Sequence, residues 1–344
     1  MHEDFIQEND PYWCLQKNKR KFCTDFKDVF HERDQCQKKA EEFTNQSLKP
    51  AVEDFICRSL GLDIVDKMLI REEFSTRMSF QYSILLDLIS KSDFKCFLSY
   101  ICSYDDYVKS WISDRIRQIF SSGSTVCEFE DKYLKCCIDH INAAINKAKA
   151  ENTISLRTFF AHWLNGCVEE MTEALRVEFK NIKFDSKLSH LYVKPQNELF
   201  TKVVGCGKQC PFCKIPCDAG GEAHTQHFGS LHRPEGLGQF RWEHSKKLMT
   251  DICSSLVISD MRFRCSATKG EWHYYKKYRE IYPNWNIAPD VSLEASDYWK
   301  YVMATYNEEF AQEYDAEPGD IPEAWKKITE KRAKESLKES FNIK

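Results

Sequence analysis

Residues 206–232 read CGKQCPFCKIPCDAGGEAHTQHFGSLH, from Cys206 to His232. Four cysteines stand at Cys206, Cys210, Cys213 and Cys217, and three histidines follow at His224, His227 and His232. Thiolates and imidazoles are the donor set that suits zinc, and a closed structural site takes four of them. The stretch therefore holds more candidates than one mononuclear site can use. One zinc with spare residues is the first expectation. The alternative is two sites that recruit later ligands such as Cys253 or Cys265. Cys210 and Cys213 make the firmest half of a site, a tight two-thiolate knuckle. Two of the three histidines complete it most simply, or Cys206 and Cys217 do so instead or anchor a second ion.

Other readings of this stretch fare worse. Buried reduced cysteines normally act as small hydrophobes, but Gly205, Gly207, Lys208, Gln209, Pro211, Lys214 and Pro216 are poor core material. A redox pair at Cys210 and Cys213 needs a helix starting at the motif, and Pro216 with Gly220-Gly221 interrupts one early. A catalytic zinc needs an open position and a nearby carboxylate, for which Glu222 is the candidate inside the histidine part. The deaminase pattern of His-x-Glu ahead of Pro-Cys-x-x-Cys is absent, as is HExxH. So is GxxxxGK[ST], which leaves no phosphate-binding loop and no GTP site in these residues.

Working outward, the chain has 344 residues, 42% of them hydrophobic, with 23 Phe and 8 Trp, so a sizeable core is available. A net charge of −4 makes no case for a nucleic-acid surface. The opening MHEDFIQEND is acidic and has no apolar run, so no signal peptide is expected there, and no apolar stretch approaches a membrane span. Sixteen cysteines without a secretory signal argue for a reducing compartment, the cytoplasm or the nucleus.

Upstream of the cluster the pattern is helical. Leu48, Val52, Phe55 and Ile56 repeat at helical spacing, and Gly61 is expected to end that run. Further stripes follow at Phe80, Ile84, Leu85, Leu88 and Ile89, and at Val108, Trp111, Ile112 and Ile116. Residues 121–125 read as a linker. Long helices are expected over 127–150 and 156–179, the latter with Phe160, Leu164, Met171 and Leu175 on its apolar face. Residues 197–204 (NELFTKVV) read as a strand leading into the cluster, and 255–265 as a strand or hairpin. The aromatic stretch 271–289 reads as irregular cover, and Tyr298, Trp299, Val302 and Met303 mark a late helix.

The fold class expected is mainly α: a multi-helix bundle or stalk followed by a small irregular α+β zinc-stabilised C-terminal module. The division expected is a polar segment over 1–40, the helical bundle or stalk over 41–180, a zinc-binding Cys/His module with short strands over 181–290, and C-terminal helices over 291–344.

The runs VVGCGKQCPFCKIPCDAGGEAHTQHFGSLHRPEGLG, TDICSSLVISDMRFRC, KGEWHYYKKYREIYPNWNIAPD and EASDYWKYVMATYNEEFAQEYDAEPGDIP together resemble the C-terminal part of the interferon-induced very large GTPases. These form a dynamin-related family that includes the up-regulator of cell proliferation. The similarity is dense from about Val203 onward and looser from about residue 40. It implies an interferon-linked, innate-immune protein that associates with itself or with protein partners through helices. In that family the GTPase domain lies upstream of the matching region, so the resemblance implies no GTP hydrolysis by these residues. Its Cys and His positions carry over as Cys206, Cys210, Cys213, Cys217, His224 and His232, with His227 beside them. Two further classes compete with a non-catalytic assembly portion: a zinc-dependent module that binds nucleic acid or protein, and a metal-assisted hydrolase using Glu222.

Overall fold

The computed structural model describes residues 36–150, 155–221, 223–290 and 294–343, together with Gln16, Asn18 and Lys19. Most of the 1–40 segment and Glu222 therefore lie outside the described residues. The protein is mainly helical, with four two-residue strands among the described residues. Contacts group it into two units: the described part of Met1–Met68 with Ser113–Pro195, and Leu69–Ile112 with Gln196–Lys344.

The first unit is built from α1 (Cys36–Phe43), a π-helical turn (Thr44–Leu48), α2 (Lys49–Leu69), α7 (Ser124–Ala150), α8 (Ser155–Asn181) and α9 (Phe184–His190). Helix α8 packs on α1 and α7. Its buried stripe is Phe160, Leu164, Val168, Met171 and Leu175, which recurs at helical spacing and meets Leu134, Cys137, Ile141 and Ile145 of α7. His140 is left exposed, and its Nδ1 bonds the Cys136 carbonyl one turn back at 2.7 Å.

Gly61 does not end the second helix. Helix α2 runs through it to Leu69. A Cβ at position 61 would stand 2.4 Å from the Val193 carbonyl oxygen, so the glycine admits a returning chain segment against the helix. The same return brings the Tyr192 N–H to the Cys57 carbonyl at 3.4 Å. Within this unit Lys187 Nζ meets Glu130 Oε2 at 2.7 Å, both side chains at most 9% exposed.

The second unit contains α3 (Glu72–Ser75), α4 (Arg77–Lys91), α5 (Phe94–Cys102) and the first half of α6 (Tyr104–Ile119). Thr76 caps α4 by accepting the Ser79 N–H, and Asp93 caps α5 by accepting that of Lys95. Residues 197–204 are not a strand. They form α10 (Pro195–Leu199) and a π-helical turn (Phe200–Val204). The buried residues Leu199, Phe200, Val203 and Val204 fall three and four apart, a helical period, and Pro195 supplies a helix start.

Beyond residue 205 regular structure is sparse. Strand β1 (His227–Phe228) pairs in parallel with β4 (Trp285–Asn286), and β2 (Arg262–Phe263) pairs antiparallel with β3 (His273–Tyr274). The 255–265 expectation thus comes down to one short hairpin strand, preceded by the single turn α11 (Cys253–Leu256). Phe212 sits at 0% exposure inside a cage of rings from Phe240, Phe263, Tyr275, Tyr278 and Tyr282, with centroids 4.9 to 6.2 Å away. The aromatic stretch is therefore packing around the cysteine knuckle. Helices α12 (Asp297–Thr305), α13 (Asn307–Glu313), α14 (Glu323–Lys326) and α15 (Glu330–Ser340) close the chain, with α15 packed on α12 and α4.

Candidate metal centre

The knuckle is a short hairpin. The Cys210 N–H donates to the Ile215 carbonyl at 2.7 Å, the Lys214 N–H to the Cys210 carbonyl at 3.0 Å, and the Cys217 N–H to the Lys208 carbonyl at 2.7 Å. Lys214 turns the chain in the left-handed region at φ 61°. Gln209 holds the hairpin with Nε2 bonds to the carbonyls of Lys214 at 2.7 Å and Ile101 at 3.0 Å. Such a hairpin sets Cys210 and Cys213 at its tip and Cys206 and Cys217 at its base. One motif therefore feeds two separate places.

At the tip, Cys210, Cys213, His232 and Cys253 form the first group, with all four ligand atoms within 4.8 Å of one another. The three sulfurs are fully buried and His232 is 6% exposed. Cys210 Sγ lies 3.8 Å from Cys253 Sγ, and Cys213 Sγ lies 3.2 Å from His232 Nδ1. Cys253 arrives because Pro234 bridges Ile252 and the Glu235 N–H donates to the Asp251 carbonyl at 2.9 Å, laying 232–235 beside 251–253. Gly238 permits this closure, since a Cβ there would stand 1.9 Å from the Phe212 carbonyl oxygen.

At the base, Cys206, Cys217, His224 and His227 form the second group, again within 4.8 Å. Cys217 Sγ is 3.5 Å from His224 Nε2, Cys206 Sγ is 3.7 Å from His227 Nδ1, and the two imidazole nitrogens are 3.1 Å apart. This group is more open, with only Cys217 fully buried. The β1–β4 pairing fixes His227, whose ring stacks on Trp285 at 5.7 Å and 24°. Arg77 reaches in from α4 to donate to the carbonyls of Val204 and Cys217, and it pairs with Asp218 at 3.7 Å.

All seven candidates from the sequence thus fall into these two groups, and the structure adds Cys253 to the inner one. Cys265 joins neither; its Sγ contacts the Tyr282 hydroxyl at 3.2 Å. The pairing of Cys210/Cys213 with two histidines is not what the geometry offers. His224 and His227 go to the outer group, and His232 with Cys253 to the inner. Sequence reasoning passed over Arg77, Arg233 and Glu235. The nested spacing, one cysteine pair enclosing the other, was the available signal for two groups.

The spacings fit a tetrahedral ion. Zinc bonds of about 2.3 Å to sulfur and 2.0–2.1 Å to nitrogen imply edges of about 3.8 Å for S···S, about 3.6 Å for S···N and about 3.3 Å for N···N. The observed 3.8 Å, 3.2–3.7 Å and 3.1 Å lie close to these edges. Without a cation the inner group is electrostatically awkward. Burial pushes the Cys210 and Cys253 thiols well above their ordinary value. For Cys213 burial opposes ionisation as well, yet hydrogen bonds from Cys210 and Cys253 and the nearby His232 draw it well below. One thiolate is then shared among three sulfurs, whereas a divalent ion stabilises all three as thiolates. Burial and the neighbouring His224 hold His227 below its ordinary value, which keeps it in the neutral form that ligates metals. Burial raises the Glu235 carboxyl to about 8, and the Tyr275 hydroxyl donates to its Oε2 at 2.5 Å.

Comparison with known proteins gives a consistent relationship. Residues 206–337 match the family model described as interferon-induced very large GTPase 1, C-terminal domain. Across 98% of its length the chain is 26% identical to interferon-induced very large GTPase 1 of Homo sapiens and 24% identical to that of Mus musculus. It spans 16% of the length of each of these relatives. No solved structure matches. No described helix is long and apolar enough to cross a membrane.

Proposed function

Because the chain resembles the C-terminal part of the interferon-induced very large GTPases, we propose that it is a non-catalytic helical and zinc-binding portion of such a protein. It acts in assembly or partner docking. Zinc is held at two closed sites: Cys210, Cys213, His232 and Cys253 inside, and Cys206, Cys217, His224 and His227 outside. The ion supplies folding energy to a segment too rich in glycine and irregular backbone to hold its shape by burial alone. The observation that carries this reading is the division of eight Cys and His side chains into two complete four-ligand groups.

Closed tetrahedra leave no position for a substrate, which argues against metal-assisted hydrolysis. Cys206, Cys210, Cys213, Cys217, Cys253 and Cys265 are in no disulfide, which suits a reducing compartment, the cytoplasm or the nucleus. Protein partners, or a second copy meeting the helical surface, fit better than nucleic acid on a chain of net charge −4.

The experiment is sedimentation of the purified chain over a range of concentrations, with and without a zinc chelator, with GTP turnover followed on the same sample. The reading expects no turnover and an association that is lost as the chelator unfolds the module. GTP hydrolysis, or a fold and sedimentation profile untouched by the chelator, would overturn it.

A further inference from the structure

Arg233 is fully buried, at 0% exposure. Its Nε donates to the Cys213 carbonyl at 2.6 Å and its Nη2 donates to the Lys214 carbonyl. Its guanidinium stacks over Trp299 at 4.5 Å, with Tyr100 at 5.8 Å. Among the described residues no carboxylate forms an ion pair with it. Asp218 is committed to Arg77 and to the Ser230 N–H. Glu235 accepts the Tyr275 hydroxyl at its Oε2, at 2.5 Å, and forms no ion pair with Arg233. A guanidinium stays protonated at any physiological pH, and a buried cation without a counter-charge is strongly unfavourable. Carbonyl dipoles and ring faces offset part of that penalty. They supply no net negative charge.

The inner metal group does. Arg233 directly follows the ligand His232 and bonds the carbonyl of the ligand Cys213. A divalent ion held by three thiolates and one neutral imidazole carries one net negative charge, whereas two thiolates and two imidazoles give a neutral centre. The molecule distributes its arginines accordingly. Arg77, beside the outer Cys2His2 group, has Asp218 as its carboxylate partner, while Arg233, beside the inner Cys3His group, has no carboxylate partner among the described residues.

We infer that Arg233 is the counter-charge of an anionic Cys3His centre and sets how firmly that centre keeps a divalent thiophilic ion. This rests on the zinc reading above and deepens it. The two centres are then unlike. The inner is a desolvated ion pair between a metal–thiolate cluster and a guanidinium, and the outer is a neutral, more accessible site.

The test uses the full chain carrying Cys206→Ser and His227→Ala, so that only the inner ion remains, with zinc transfer to a chromophoric chelator as the readout. Arg233→Gln keeps a donor and removes the charge, and Arg233→Lys keeps the charge and removes the fork. The inference expects Gln to weaken zinc retention by about tenfold or more and Lys to stay within about threefold of the parent. A chain that folds with zinc as the Lys variant but not as the Gln variant supports it equally. Equal retention in Gln and parent, or equal loss in Gln and Lys, would overturn it. A parent chain that holds no zinc would instead sink the underlying zinc reading.

Discussion

Cys253 Sγ lies 3.8 Å from Cys210 Sγ although 43 residues separate them. That contact ties α11 to the cysteine knuckle, while the Sγ of Cys265, twelve residues further on, lies against the Tyr282 hydroxyl and belongs to neither four-ligand group. Cys253→Ser is expected to cost the chain one zinc and to destabilise the module by several kcal/mol, because a structural zinc is itself folding energy. Cys265→Ser is expected to keep both ions. Elemental analysis and thermal melting of the two variants check this, and equal behaviour would contradict the assignment.

Arg77 spans the outer site from behind by donating to the Val204 and Cys217 carbonyls. Hydrogen bonds from a charged donor are worth about 1.5–3 kcal/mol each, less when other groups can compensate. Arg77→Met should lower unfolding free energy by about 2–3 kcal/mol and speed loss of the outer ion while the inner one stays. Denaturant titration with chelator kinetics measures both effects.

Gly61 gives opposite predictions from local and tertiary physics. Alanine is favoured over glycine in a helix interior by about 1 kcal/mol. At this position its Cβ would meet the Val193 carbonyl oxygen at 2.4 Å, and such overpacking costs about 1–3 kcal/mol. Gly61→Ala is therefore expected to lower the melting temperature. A rise would mean that residues 191–193 do not lie against α2.

Glu130 makes the helical unit pH-sensitive. Burial raises its carboxyl above the ordinary value of 4.5, and the Lys187 ammonium offsets this only in part. The folded chain then keeps a proton that the unfolded chain has already released. The protonated-state advantage is complete below 4.5 and is lost as pH rises through the raised value. Glu130→Gln should remove this decline, so the difference in urea midpoint between the two chains should widen in favour of the variant from about pH 4 to pH 7. A difference that stays constant across that range would refute the shift.

The helical half was legible because its apolar residues recur at one period. Phe160, Leu164, Met171 and Leu175 read as one face in sequence and lie on one face in the structure. Gly61 misled because glycine looks like a helix breaker locally, while the reason for it comes from Val193, far away in sequence. Residues 197–204 misled because Thr201, Val203 and Val204 favour strands intrinsically, yet their burial follows a helical period. Ligand types in 206–232 were visible from chemistry alone. Their division between two places was not, since it depends on a hairpin that separates tip from base and on Cys253 arriving across a bridge at Pro234 and Ile252. The buried arginine had no signature at all, because an arginine in a polar loop reads as solvated until its surroundings are known.

The most direct measurement is zinc per chain, by elemental mass spectrometry on the purified protein after dialysis against metal-free buffer. Two closed four-ligand centres predict two zinc ions per chain. A chain that carries none, and melts alike with and without chelator, would contradict the account.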